Sequence, residues 1–381
     1  MHQTPFTKAF KETIAERIYR EGLALGEAGR KIFGVYCAFT PKEIIAAAGG
    51  IPVALCAGTD QSIPAAETQL PRNLCPLVKS TFGHALQGSC QYMEETAFIF
   101  ADMTCDGKKK MFEFLGRIKP LHLLALPQDN QRAASRRMWL EELYLLKKIV
   151  EEQAGHTVAD DALLEQIRLY NDLRRAVEEV YDLNRGTVPL LTGREVAAIT
   201  EEGAGFECHL AQRAANMRRY AAQARERSDD RDFLDSMRRK PRILLTGCPT
   251  TNIKILDILE NAGAVVVAME NCGGLKTTGL VQENGDPMQA LADRYLSTPC
   301  PCMAPNTARL DLISRLAEAF HVQGVVELTW DACHTYNVEA GLVREHVTES
   351  LDLPYLQVRT DYTENDRSQI QIRVDAFLEM I

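Results

Sequence analysis

Lys31-Ile32-Phe33-Gly34-Val35-Tyr36-Cys37-Ala38-Phe39-Thr40-Pro41-Lys42-Glu43-Ile44-Ile45-Ala46-Ala47-Ala48-Gly49-Gly50-Ile51-Pro52-Val53-Ala54-Leu55 decides how the chain folds. Residues 32–36 are apolar and rich in strand formers. Thr40 suits an N-cap, Pro41 the first helical position, and Glu43 completes a capping box. The helix predicted from there stops at Gly49-Gly50, and a second strand runs from Ile51 to Leu55. Strand, helix and strand at this spacing form a β-α-β unit, whose strands pair in parallel because the crossover returns the chain in the same direction.

Upstream, Phe6, Phe10, Ile14, Ile18 and Leu23 or Leu25 recur near the helical period, so residues 5–30 read as an amphipathic helix ending at Gly29. Downstream, Cys75-Pro76 opens a helix carrying Leu77, Val78, Phe82 and Leu86. Thr96 to Met103 is a continuous apolar strand, as expected where both faces are covered. Asp106-Gly107 turns the chain into a helix with Met111, Phe112 and Leu115, and Leu121 to Leu126 is a further strand. From Gln131 to Arg239 the pattern is helical and charged, and Arg225 to Asp232 reads as a solvated helix end.

A second α/β unit opens at Pro241, with strands at 242–247, 265–269, 324–330 and 354–359 and helices at 253–261, 288–296 and from Ser368. The fold class is therefore α/β. It comprises an N-terminal helical segment at 1–30, a first parallel-sheet domain at 31–130, a helical region at 131–239 and a second parallel-sheet domain at 240–381.

At 381 residues the chain is too long for one ordinary core. Apolar content of 46% and charged content of 25% are those of a globular protein. A formal charge of −9 argues against a nucleic-acid or anionic-membrane surface. No run approaches the roughly 20 apolar residues of a membrane span, and the first residues lack an apolar signal core, so a cytoplasmic protein is expected.

The eleven cysteines are unusual. In a reducing compartment a cysteine is a small buried hydrophobe or a ligand. The first reading fits Cys56, inside an apolar run, and Cys208, inside a polar helix. It fits poorly for Cys37, Cys105, Cys248, Cys272 and Cys333, which stand at or just past strand ends, where open α/β sheets gather their ligands. Cys75 precedes a helix, whose N-terminus favours a thiolate. These positions point to metal ligation. Paired zinc spacing and the dense cysteine runs of bacterial ferredoxins are both absent; the nearest pair is Cys300-Pro301-Cys302. An iron–sulfur centre taking thiolates one at a time from two domains fits better. The chain has no P-loop, no G-x-G-x-x-G after a strand, no H-E-x-x-H and no G-x-S-x-G.

Several stretches then resemble, in order, the 2-hydroxyacyl-CoA dehydratase and benzoyl-CoA reductase superfamily. They are residues 34–49, Leu70-Pro71-Arg72-Asn73-Leu74-Cys75-Pro76, Cys105-Asp106-Gly107 and Ala332-Cys333-His334. Thr104 to Met111, Leu245 to Pro249, Glu270-Asn271-Cys272 and Cys333-His334-Thr335-Tyr336 look like the versions found in the double-cubane cluster proteins. The resemblance implies two Rossmann-like domains with additional helices. It also implies a [4Fe-4S] cluster with one open iron, held at Cys75, Cys105 and Cys333. A double-cubane [8Fe-9S] cluster would need three more thiolates. Cys37, Cys272 and either Cys300 or Cys302 are candidates, with Cys248 a further one. A homodimer is implied, as is a separate ATPase activator that carries its own [4Fe-4S] cluster and supplies low-potential electrons.

Two function classes follow. One is an ATP-driven reductase acting on a small molecule through a double cubane. The other is an (R)-2-hydroxyacyl-CoA dehydratase subunit with a single open [4Fe-4S] cluster. The surplus of cysteines favours the first. His334, beside Cys333, is a candidate proton donor; its competing role is a hydrogen bond to a cluster sulfur or the backbone. Lys108-Lys109-Lys110 reads as a surface run.

Overall fold

The computed structural model describes residues 20–201 and 205–381. Helix α1 spans 20–27; the rest of the amphipathic helix expected over 5–30 lies outside the described residues, apart from the turn that closes at Gly29. In chain order there follow β1 (Ile32–Tyr36), α2 (Lys42–Ala47), β2 (Ile51–Ala54), α3 (Ile63–Ala66), α4 (Pro76–Gln87), α5 (Gln91–Glu95), β3 (Phe98–Asp102), α6 (Asp106–Leu115), β4 (Leu121–Leu124), α7 (Ala133–Ala154), α8 (Asp160–Asp182), α9 (Gly193–Thr200), α10 (Leu210–Arg225) and α11 (Arg231–Arg238). The chain continues with β5 (Arg242–Gly247), α12 (Lys254–Asn261), β6 (Val265–Glu270), α13 (Pro287–Leu296), α14 (Thr307–Ala319), β7 (Gly324–Trp330), α15 (His334–Glu345), β8 (Tyr355–Thr360) and α16 (Arg367–Leu378).

The chain forms two compact units. The first is drawn from Met1–Arg174, Glu202–Arg213 and Gly279–Pro305; the second from Arg175–Glu201, Ala214–Thr278 and Asn306–Ile381. The helical stretch 131–239 contributes to both. Each unit is built on a four-stranded sheet with all pairs parallel, ordered β2-β1-β3-β4 in the first and β6-β5-β7-β8 in the second. The α/β architecture with two parallel sheets is thus the one the β-α-β patterns predict, and it agrees with the two Rossmann-like domains that the resemblance implies.

In the first unit, strand alternation sends side chains to two cores. Phe33, Val35 and Phe100 pack with Ile44 and Ile45 of α2, Leu143 of α7 and Leu291 of α13. Ile32, Tyr36 and Ile99 pack on the other face with Phe82 of α4 and Phe112 of α6. In the second unit β5, β6 and β7 are buried along their whole lengths. Gly247 closes β5 with φ +107°, and a Cβ there would lie 2.2 Å from the Leu328 carbonyl oxygen, so no other residue fits. Among the described residues, no helix is long and apolar enough to cross a membrane.

The capping box expected at Thr40 and Glu43 does not form. Helix α2 starts at Lys42, and the Thr40 hydroxyl donates instead to Asp102 Oδ1 (2.7 Å). Glu43 is fully buried, and its carboxylate accepts from Arg174 Nη2 and Tyr295 Oη, both at 2.7 Å. A carboxylate shut away from water needs such partners, and the first turn of α2 faces the core. Glu43→Ala is expected to leave the Arg174 guanidinium short of its counter-charge and to cost about 3 kcal/mol in urea unfolding. A loss below about 1 kcal/mol would mean that Asn171 and the Tyr295 hydroxyl, which also accept from Arg174, satisfy it without the carboxylate.

Candidate functional site

In the first unit, β1 and β3 are adjacent and parallel, so their carboxyl ends fall on one edge. Cys37 follows β1 directly and has φ +72°, a left-handed conformation rare for a residue with a side chain. Asp102, the last residue of β3, holds the backbone beyond Cys37: it accepts from the Phe39 N–H (2.8 Å) as well as from Thr40. Burial pushes the Asp102 carboxyl up to about 7, against the hydrogen bonds from Thr40 and Phe39.

Cys105 stands at the N-cap of α6 and Cys75 at the N-cap of α4, where the helix dipole favours negative charge. No side-chain cap closes at either. Burial pushes the Cys105 thiol up, and the nearby N–H and ammonium of Lys108 work against it. The Lys108 ammonium donates to Cys37 Sγ at 2.8 Å, and Thr104 Oγ1 lies 3.6 Å from the same sulfur. Burial raises the Cys37 thiol to about 12, with Lys108 opposing.

The segment Gly279–Pro305 belongs to this first unit and brings Cys300 and Cys302 to the same neighbourhood. Tyr295 of α13 anchors it on Glu43. The Ala304 N–H donates to the Gln128 carbonyl (2.8 Å), and the Gln128 side chain donates to the Thr104 carbonyl (3.2 Å). A hydrogen bond with Cys300, followed by burial, pushes the Cys302 thiol up, and Cys37 adds to that. Cys75 and Cys300 act in the same way on Cys105. Cys75, Cys105, Cys300, Cys302 and Cys37 are therefore successive electrostatic neighbours within one unit.

In the second unit Cys248, Cys272 and Cys333 follow β5, β6 and β7. Cys248 is buried; its sulfur accepts the backbone N–H of Trp330 (3.4 Å), which ties it to the end of β7. Cys272 sits in a turn shaped by Asn271, which accepts from the Gly273 N–H (3.1 Å) and donates to Thr250 Oγ1 (3.2 Å). Cys333 is the N-cap of α15, preceded by Ala332 at φ +55°. Lys276, just past Cys272, donates to Tyr336 Oη (2.9 Å) in the first turn of α15. Beneath them Arg309 reaches Glu270 (3.1 Å), Glu327 (3.0 Å) and Glu339, and Lys276 lies 2.9 Å from Glu270. His334 opens α15 and is exposed.

Of the positions matched to an open cluster, Cys75 and Cys105 lie in the first unit and Cys333 in the second; of the further candidates, Cys37, Cys300 and Cys302 lie in the first and Cys272 in the second. Two other cysteines differ from expectation. Cys56 is exposed, because β2 ends at Ala54. Cys208 stands ahead of α10 rather than inside it, with its thiol raised by burial to about 11.

Lys108 is a correction of a different kind: it is 9% exposed, not a surface lysine. The signal was present in the sequence. Lys108 precedes Met111, Phe112 and Leu115 by three, four and seven residues, which sets it on the buried face of α6.

Among the described residues no three His, Cys, Asp or Glu groups converge closely enough to hold one metal ion. A cubane asks for something else, since each thiolate binds a different corner iron. The neighbouring groups of the first unit are thiols, one of them hydrogen-bonded to a buried ammonium, and that donor chemistry fits a thiolate-held cluster.

A family model described as "2-hydroxyglutaryl-CoA dehydratase, D-component" matches residues 37–381. The chain is 40% identical to YjiM of Escherichia coli (strain K12) over 94% of its own length and 93% of the relative's. It is 20% identical to the (R)-phenyllactyl-CoA dehydratase beta subunit of Clostridium sporogenes, covering 93% of each chain. It is 21% identical to one of the subunits of the benzoyl-CoA reductase of Thauera aromatica, covering 92% of this chain and 90% of that one.

Proposed function

Because the chain belongs to the 2-hydroxyglutaryl-CoA dehydratase D-component family, we propose that it is an iron–sulfur enzyme, specifically a reductase with a double-cubane [8Fe-9S] cluster. Electrons come from a separate ATPase activator with its own [4Fe-4S] cluster, and the working form is a homodimer. The observation that carries the reductase reading is the set of five neighbouring thiols in the first unit, more than the three an open single cubane uses.

Cys75, Cys105 and Cys333 would hold the cubane with an open iron. The further thiolates would come from Cys37, Cys300 or Cys302, and Cys272. When bound, such a cluster supplies one-electron reduction at low potential and an iron site for substrate. The chain's own part is positional. Asp102 fixes the turn after Cys37, Gln128 ties the Cys302 loop to Thr104, and the Lys276–Tyr336 hydrogen bond joins the turn after Cys272 to the helix that Cys333 caps. His334, exposed beside Cys333, would hydrogen-bond a cluster sulfur or the backbone, with proton donation to a bound molecule as its second role.

The similarity to a dehydratase beta subunit supports a second reading, loss of water from a 2-hydroxyacyl-CoA at a single [4Fe-4S] cluster. Iron and sulfide analysis of anaerobically purified protein separates the two. The reductase reading expects about twice the iron of one cubane per chain and reduction of the protein by its activator with ATP. One cubane's iron together with dehydration of an acyl-CoA would establish the lyase instead, and iron-free protein would sink both.

A further inference from the structure

Lys108 is the buried group that the proposed chemistry has not yet used. It has little contact with solvent, and burying an ammonium carries a heavy desolvation cost unless negative charge faces it. Its Nζ donates to Cys37 Sγ at 2.8 Å. The same charge acts on Cys105, through the first turn of the helix that Cys105 caps, and on Cys56. Asp102 also feels the Lys108 charge, but its carboxylate oxygens take their hydrogen bonds from Thr40 and the Phe39 N–H, whereas the ammonium itself donates to sulfur. Lys108 therefore faces sulfur, and it faces sulfurs assigned above to both halves of the proposed cluster.

We propose that Lys108 is the counter-charge of the cluster: a positioning residue whose ammonium, hydrogen-bonded to Cys37 Sγ, makes the bound cluster easier to reduce. This rests on the iron–sulfur reading. Adding one electron from a reduced iron–sulfur donor raises the negative charge of the thiolate-bound cluster by one unit, with no bond formed and no proton moved. A fixed positive charge and an N–H···S bond favour that more negative state, the same lever by which hydrogen bonds to sulfur tune such potentials generally. Lys108 does not touch substrate; its effect passes through Cys37 and Cys105.

The test uses the full-length holoprotein, purified without oxygen, as wild type and as Lys108→Met, Lys108→Gln and Lys108→Arg. Iron per chain and circular dichroism are measured first, then an EPR-monitored redox titration. Lys108→Met is expected to keep its fold and to lower the reduction equilibrium constant at least tenfold, about 59 mV for one electron. Lys108→Gln, a donor without charge, falls between Met and wild type, and Lys108→Arg stays near wild type. Folded Met protein that is short of iron while the Arg variant is fully loaded also supports the assignment, because charge is then needed for loading. An unchanged potential in fully loaded Met protein overturns it. So does equal iron loss in the folded Met and Arg variants, which would make shape the requirement. If Met does not fold, the Gln and Arg pair decides by the same readings. Iron-free wild type would instead defeat the iron–sulfur reading itself, so the two failures are distinguishable.

Discussion

Cys105→Ala is expected to yield a folded protein that has lost most of its iron. Cys105 ends the turn after β3 and caps α6, and its Sγ is a neighbour of Cys75 and Cys300 and feels the Lys108 charge. Outer partners of a metal site typically contribute about 10–100-fold in affinity, so losing a ligand should cost more than that. The fold should survive, because the Cys105 side chain closes no capping hydrogen bond. The control is Cys248→Ala. That thiol is the more buried of the two, but its sulfur serves the Trp330 N–H, so the variant should keep its iron and lose only stability. Iron and sulfide per chain, read beside the far-ultraviolet circular dichroism spectrum, check both. Full iron in Cys105→Ala, or iron loss in Cys248→Ala, would reverse the assignment of packing thiol and ligand.

The largest stability effect is expected at Arg309. Its guanidinium is wholly buried and faces Glu270, Glu327 and Glu339, with the Thr246 hydroxyl 3.0 Å from Nη2. Lys276 remains for Glu270, but among the described residues no other cation pairs with Glu327, where burial already pushes the carboxyl up. Removing one partner from a buried network of this kind costs about 3–5 kcal/mol, or a fall of about 10 °C in Tm for a body of this size. Arg309→Met keeps the volume and isolates the charge. The effect has a pH signature. Burial opposes the Glu270 carboxylate, but Lys276 and Arg309 outweigh it and hold its pKa below the ordinary 4.5. A depressed carboxylate stabilises above its unfolded pKa and loses that contribution as the pH falls through the folded one. The gap between wild type and Arg309→Met should therefore be widest near neutrality and shrink below about pH 4.5. Thermal unfolding at several pH values measures it; a gap that does not change with pH would show that packing, not charge, sets the loss.

Much of this was legible in the residues. Apolar runs closed by Gly-Gly, by Cys-Pro or by Asp-Gly marked the strands and their ends, because a strand buried on both faces has no other way to read. Cysteines at those ends could be picked out because sheet topology fixes where strand ends go. What stayed hidden was long-range. Glu43 fits a cap by local grammar, but Arg174 and Tyr295, far along the chain, claim its carboxylate. Lys108 sits in a run of three lysines, and only its spacing to Met111 and Phe112 hinted that it turns inward. The membership of Gly279–Pro305 in the first unit has no local signature, since it depends on which core the apolar face of α13 meets.

That return of Gly279–Pro305 sets a clock on biosynthesis. Cys37, Cys75 and Cys105 leave the ribosome early, while Cys300 and Cys302 follow roughly 200 residues later, about 10–40 s at ordinary elongation rates. Through that interval the nascent first unit lacks α13 to cover Phe33 and Ile45, and its early thiols wait without their later neighbours. A truncation before residue 279 would therefore yield neither a finished core in the first unit nor its two late thiols, Cys300 and Cys302.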